Sequence, residues 1–268
     1  MSNLGAAEQA LKEGDAQIAL KLLTEQIRAH PQDVKLRVFI FQLMCVLGQW
    51  ERAQNQLTVA GELDAATLAM VQTYREAIQC ERLREEVFGG KKVPLLFGEP
   101  EAWVALLIEA LLREGQGAMD DARKLRDQAY EDAPSFGGSV DGKKFAWLAD
   151  ADMRLGPVLE AVINGRYYWV PMSRLTRIAL EAPVDLRDCV WTAAQFEFTN
   201  GGQVVALVPT RYAGTDLGQS ALALAHKTEW NEPQAGFFTG MGQRVFATDV
   251  GDFGLMDVRS IVFESADA

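Results

Sequence analysis

Residues 13–31 read EGDAQIALKLLTEQIRAHP, and three positions, Gly14, Ala19 and Pro31, punctuate the run. Glycine ends one helix because it accepts the left-handed turn conformation. A small alanine on the next helix lets two helix axes approach closely. Proline then stops that second helix, since it lacks an N–H and its ring clashes with the preceding turn. The same punctuation returns 34 residues later as Gly48 and Ala53 in GQWERAQNQL. It returns again, close to three such periods from the first, as Gly117, Ala122 and Pro134 in GAMDDARKLRDQAYEDAP.

A helix–turn–helix unit with a 34-residue period resembles a tetratricopeptide repeat. Residues 64–88 keep helical character but lose the Gly/Ala/Pro punctuation, so the array is degenerate. Apolar positions agree with a helix stack: Leu4, Leu11, Ile18, Leu22 and Ile27 fall on helical stripes, as do Val34, Val38, Phe41 and Met44. Core packing between neighbouring helices accounts for each of them. Such a stack also has a concave face, which commonly receives a peptide or a helix. Residues 89–100, GGKKVPLLFGEP, interrupt the pattern. A further helix pair follows, with Trp103, Leu106, Leu107 and Ala110 on one stripe.

The composition shifts at residues 134–144, PSFGGSVDGKK, which reads as a loop and marks a boundary between units 1–134 and 135–268. Beyond it the period becomes two. VLEAVINGRYYWVPM, residues 158–172, is two β-prone runs flanking Asn164-Gly165, the strongest short-range hairpin signal. A second hairpin is expected around Asn200, Gly201 and Gly202 in AAQFEFTNGGQVVALVP. LTRIALE, ALALAHKTEW, QRVFATD and the terminal LMDVRSIVF are further strand candidates, whereas GFFTGMGQR reads as a turn before QRVFATD. The expected class is α+β: tetratricopeptide-like helical repeats, then a mainly antiparallel β unit, as a sheet or small barrel.

Composition narrows the function. The net charge of -11 is spread, with 15 Lys+Arg against 21 Asp+Glu in residues 1–134 and 11 against 16 in residues 135–268. Neither half is a basic module, so nucleic acid is not an expected partner. Cys45, Cys80 and Cys189 are odd in number and widely spaced, which suits a reducing compartment. The opening MSNLGAAEQALKEGD lacks a basic stretch followed by an apolar run, and no segment approaches a membrane span. A cytoplasmic location without membrane contact is the expectation.

Residues that carry chemistry are sparse. The two histidines, His30 and His226, are far apart; His30 precedes Pro31 and reads as a surface cap. There is no zinc spacing, nucleophile elbow or P-loop. The densest polar cluster, LADADMRLGP, contains Asp150, Asp152 and Arg154. Alternating aspartates can hold a divalent cation or act as an acid–base pair, but a salt-bridged, turn-capping cluster fits better. Aromatics concentrate in the second half. Trp147, Tyr167, Tyr168, Trp169, Trp191, Tyr212 and Trp230, with Asp150, Asp152, Arg154 and Arg211, have the makeup of a protein-interaction surface, although core packing explains any single ring. On a strand, Tyr167 and Trp169 would face one side and Tyr168 the other.

The runs WLADADMRLGPVLEAVINGRYYWVPMSRL, DLRDCVWTAAQFEFTNGGQVVALVPTRY, KTEW and GQRVFATD together resemble the ImpE/TagJ (SciE-type) family. The resemblance is dense across the second half and looser in the first. It implies an accessory component of the type VI secretion apparatus that binds the small subunit of the contractile sheath through that subunit's N-terminal helix. It also implies an indirect association with the AAA+ unfoldase that disassembles contracted sheaths. It attaches no catalytic residue and no cofactor.

The expectation is therefore a non-enzymatic adaptor. The alternative is a small metal-dependent hydrolase using Asp150, Asp152 and His226, and a third reading is a scaffold that acts through oligomerisation.

Overall fold

The computed structural model describes residues 3–264. Its helices are α1 (Asn3–Lys12), α2 (Ala16–Ala29), α3 (Val34–Val46), α4 (Trp50–Leu63) and α5 (Leu68–Phe88), then, after the two-residue strand β1 (Leu95–Leu96), α6 (Ala102–Gly115) and α7 (Met119–Asp132). The punctuating glycines all close a helix in the same way. Gly14, Gly48 and Gly117 have φ of 81°, 65° and 78°. The following amide then reaches back across the turn: Asp15 N–H to the Ala10 carbonyl at 2.8 Å, Gln49 N–H to Met44 at 2.8 Å, and Ala118 N–H to Arg113 at 2.9 Å. This is the Schellman closure, which satisfies carbonyls that a helix end leaves orphaned.

Ala19, Ala53 and Ala122 are fully buried where paired helices meet. Pro31 and Pro134 lie just beyond α2 and α7. His30 is the exposed C-cap residue of α2. Where the punctuation is missing, the chain forms one uninterrupted 21-residue helix, α5, instead of a pair.

The remaining strands are β2 (Gly138–Val140), β3 (Lys143–Phe145), β4 (Leu148–Asp150), β5 (Val158–Ile163), β6 (Arg166–Pro171), β7 (Leu175–Leu180), β8 (Trp191–Phe198), β9 (Gln203–Pro209), β10 (Thr228–Gln234), β11 (Phe237–Gly242), β12 (Val245–Thr248), β13 (Gly251–Gly254) and β14 (Ser260–Phe263), with the short helix α8 (Ser220–Ala223) after β9. Nine strands make one sheet in the order β1-β6-β5-β9-β8-β7-β14-β2-β3; β10-β11 and β13-β12-β4 form smaller sheets. Every pairing is antiparallel except β1 with β6. The class is α+β, as the change of period implied.

Four local readings need correction. The 89–100 interruption contributes β1, which extends the sheet as a parallel edge strand. The 134–144 loop contains a tight hairpin, because Asp141 and Gly142 (φ 48° and 84°) form the same kind of turn as Asn164 and Gly165 (φ 50° and 71°). GFFTGMGQR is largely strand β11. Its Gly240 is needed for close approach, since a Cβ there would sit 2.2 Å from the Tyr212 ring. Finally, ALALAHKTEW is not one strand: it runs from α8 through Ala225 (φ 56°) into β10. A short apolar run suits a buried helix as well as a strand, and burial of Ala223 and Leu224 against the helix stack decides the matter.

Helices and strands share their cores. Cys189, Val190, Trp191, Ala223 and Leu224 are buried in one cluster with α1 to α5. Val158, Tyr167 and Trp169 are buried in another with α5, α6 and α7. A third cluster lies within the β half. The Trp191 ring centroid is 5.7 Å from Tyr74 and 6.0 Å from Trp50, and Tyr74 in turn is 5.7 Å from Phe41.

Candidate functional site

The helix stack and the sheet meet across a buried chain of charges. On α5, Glu81 and Arg84 are one turn apart and share a helix face. Arg84 Nε donates to Glu160 Oε1 of β5 at 2.6 Å, and its Nη2 donates to Glu160 Oε2 at 3.0 Å. The Tyr167 hydroxyl donates to Glu160 Oε1 at 2.6 Å and accepts from Trp169 Nε1 at 2.9 Å. Arg244, fully buried between β11 and β12, bridges Glu160 and Asp150. At the other end, Trp191 Nε1 donates to Glu81 Oε1 at 2.9 Å.

The electrostatics follow from this packing. Burial by itself would raise the Glu160 carboxyl, but Arg84 and Arg244 outweigh it and hold Glu160 down at about 2. Asp150 has a single guanidinium partner, and burial pushes it up to about 6 despite the pull of Arg244. Arg211 is held in the interior by main-chain carbonyls. Its Nη1 donates to Val46 and Ala223 at 2.6 Å each, and its Nη2 to Cys45 at 3.3 Å. It therefore ties the C-terminal ends of α3 and α8 together. Burial lowers its pKa to about 10.

The aspartate cluster serves a turn. Asp150 Oδ1 accepts from the Asp152 amide at 2.9 Å, and Asp152 Oδ1 accepts from the Arg154 amide at 2.9 Å. The Arg154 side chain pairs with Asp152 at 2.5 Å, and Asp152 Oδ2 also accepts from the Gly240 amide at 2.9 Å. Both aspartates are buried, whereas His226 is exposed. Among the described residues, no group of three His, Cys, Asp or Glu side chains could hold a metal. The arrangement lends the hydrolase reading no support.

The residues read as a candidate partner surface divide by depth. Tyr167, Trp169, Trp191, Arg211 and Tyr212 are interior, with Asp150 and Asp152, and Arg154 is mostly covered, its guanidinium 4.7 Å over the Phe88 ring. Tyr168 is half-buried edge-on to Phe97, on the opposite face from Tyr167 and Trp169. Trp147 and Trp230 are open to solvent at 40% and 42%. Sequence reasoning did not single out Glu81, Arg84, Glu160 or Arg244. Glu160 did leave a trace, a carboxylate inside the apolar run VLEAVI.

Two concave features remain. A cavity of about 210 Å³ opens where α5 meets the chain after β9, with Trp50, Glu81, Arg84, Arg211 and Tyr212 among its walls. A more open, more apolar groove of about 530 Å³ lies between α1, α3 and residues 183–186, lined by Leu11, Phe39, Pro183, Val184 and Leu186. Val184 at its lip is 90% exposed.

A sequence model of the ImpE protein family matches residues 142–262. Over 263 residues the chain is 51% identical to the type VI secretion system accessory component TagJ of Pseudomonas aeruginosa, covering 98% of this chain and 92% of that one. The chain belongs to the ImpE/TagJ family. The fold of this ImpE-family chain is also that of protein VPA1032 from Vibrio parahaemolyticus. That crystal structure superposes with a TM-score of 0.89 at 23% identity, covering 97% of this chain and 98% of the other. Among the described residues, no helix is long and apolar enough to cross a membrane.

Proposed function

We propose that this ImpE-family chain is a non-enzymatic, cytoplasmic adaptor of a type VI secretion apparatus that seats the N-terminal helix of the small sheath subunit and serves the AAA+ unfoldase indirectly. The observation that carries the reading is the 51% identity, over nearly the whole chain, to an accessory component of that apparatus. The distribution of surfaces supports it. Part of the helix stack is covered from within the chain, by Cys189, Val190, Trp191 and Leu224. What stays open is the apolar groove along α1 and α3, with Val184 presented at its lip. An amphipathic helix laid there would bury its apolar anchors against Leu11, Phe39 and Leu186. Glu8 at the rim would favour Lys or Arg on its polar face, and Lys12 one turn on would favour an acidic residue there, while Asp185 is already paired with Arg187.

Pull-down with purified small sheath subunit, intact and lacking its N-terminal helix, tests this. The intact subunit is retained and the truncated one is not. Val184→Glu, a change at an exposed position, weakens retention by about tenfold or more. Equal retention of both subunit forms ends the helix-capture reading.

A further inference from the structure

We propose that the cavity between α5 and the chain after β9 is a binding site for a small amphoteric carboxylate with the size and charge pattern of a short α-amino acid. Two arginines line it, Arg84 and Arg211, and both residues are at least 95% buried. An arginine has five N–H donors in a fixed fork. Arg84 spends Nε, both Nη2 hydrogens and one Nη1 hydrogen on Glu160, the Arg211 carbonyl and Glu81. Arg211 spends three hydrogens, all on main-chain carbonyls. Among the described residues its Nε and one Nη2 hydrogen find no acceptor, and it forms no ion pair with a carboxylate. Glu81 acts on it electrostatically without pairing with it, so an incoming carboxylate still gains charge-assisted hydrogen bonds, which strengthen in low dielectric.

The walls argue against a simple anion. Glu81 and Glu85 also line the cavity, and each carboxylate accepts there only from neutral indoles or from Arg84. A carboxylate alone would satisfy Arg211 and be repelled by these two. A ligand that also carries an ammonium group satisfies both sides at once. Trp50, Val190 and Leu217 supply apolar wall for a short side chain. The volume of about 210 Å³ is room enough for a short α-amino acid. The position, between two layers of secondary structure, is where small ligands commonly bind. The site is independent of the apolar groove on α1 and α3.

The test is a titration of the full chain with L-alanine, acetate and methylammonium, following the Trp50 indole N–H by NMR, its signal assigned with Trp50→Phe. L-alanine gives a saturable shift. Acetate and methylammonium each leave one charge of the cavity unmatched and bind about tenfold more weakly or worse. Glu81→Gln keeps the size and one of the two acceptors, for Trp191, but removes the negative charge and the acceptor for Arg84, so acetate overtakes L-alanine. Leu217→Trp fills the cavity while leaving both arginines in place and abolishes the shift for all three probes. Absence of a saturable L-alanine shift at tens of millimolar overturns the proposal. So does binding that survives Leu217→Trp, or a ranking of probes that Glu81→Gln leaves unchanged.

Discussion

Arg84 of α5 and Glu160 of β5 meet as a two-point ion pair, 2.6 Å and 3.0 Å across its two hydrogen bonds, with side chains 6% and 0% exposed. They are 76 residues apart in the chain. The pair fixes how the helix stack sits on the sheet, since the fork of a guanidinium and the plane of a carboxylate match in few orientations.

Removing one partner leaves a buried charge uncompensated. Glu160→Ala leaves Arg84 with Glu81 alone and Arg244 with Asp150 alone, and is expected to cost about 3–5 kcal/mol in urea unfolding. Adding Arg84→Met to that background recovers part of the loss, because one under-compensated charge is gone. A single-variant cost below about 1 kcal/mol, within the range of ordinary surface changes, would show that the network is solvated.

The same network sets a pH dependence with two opposing parts. The folded Glu160 carboxyl sits at about 2, below its ordinary 4.5, so the unfolded chain binds the extra proton first as pH falls. Its contribution is complete above about 4.5 and disappears as pH drops through about 2. Asp150 behaves in the opposite sense. At about 6 against an ordinary 3.8, its contribution is complete below 3.8 and is lost as pH rises through about 6. Unfolding free energies measured from pH 2 to 7 should lose their acid-side slope in Glu160→Gln and their decline toward pH 6 in Asp150→Asn.

Gly48 and Gly14 both turn a helix end with positive φ, yet their surroundings differ. A Cβ at Gly48 would lie 2.4 Å from Leu217 Cδ1, while one at Gly14 would meet nothing within 4 Å. Gly14→Ala is expected to cost about 1 kcal/mol, the conformational part alone. Gly48→Ala costs more, because Leu217 must also move. Equal costs in paired thermal melts would mean that Leu217 yields freely.

Residues 1–134 and 135–268, expressed apart, should not each fold as cooperative units. Separation would expose Phe41 and Tyr74 on one piece and Trp191 on the other, and leave the Cys45 and Val46 carbonyls without Arg211. Circular dichroism melts and dye binding on the two pieces check this. Two sharp melts at the temperature of the whole chain would establish independent domains.

How much of this could be read beforehand varies with the range of the interaction. Gly14, Gly48 and Gly117 were legible as helix ends because the requirement for positive φ is local and few residues meet it. Asn164-Gly165 was legible for the same reason, and Asp141-Gly142 should have been. Gly240 was misread as a turn, because a glycine demanded by a neighbouring ring looks the same in sequence as one demanded by a backbone angle. The aromatic residues were located correctly as a concentration but not by depth. Tyr167 and Trp169 are buried by α5, α6 and α7, which lie far away in sequence.

From residue order alone came the helical front, the change of period near residue 134, the hairpins and the family resemblance, because each rests on spacings within a few tens of residues. The pairing of Glu160 with Arg84 and Arg244, 76 and 84 residues away, was decided only when the layers packed. So was the cavity those layers leave beside Arg211. An arginine carries no mark of which carboxylate it will meet; low dielectric and exclusion of water select the partner, and both exist only after folding.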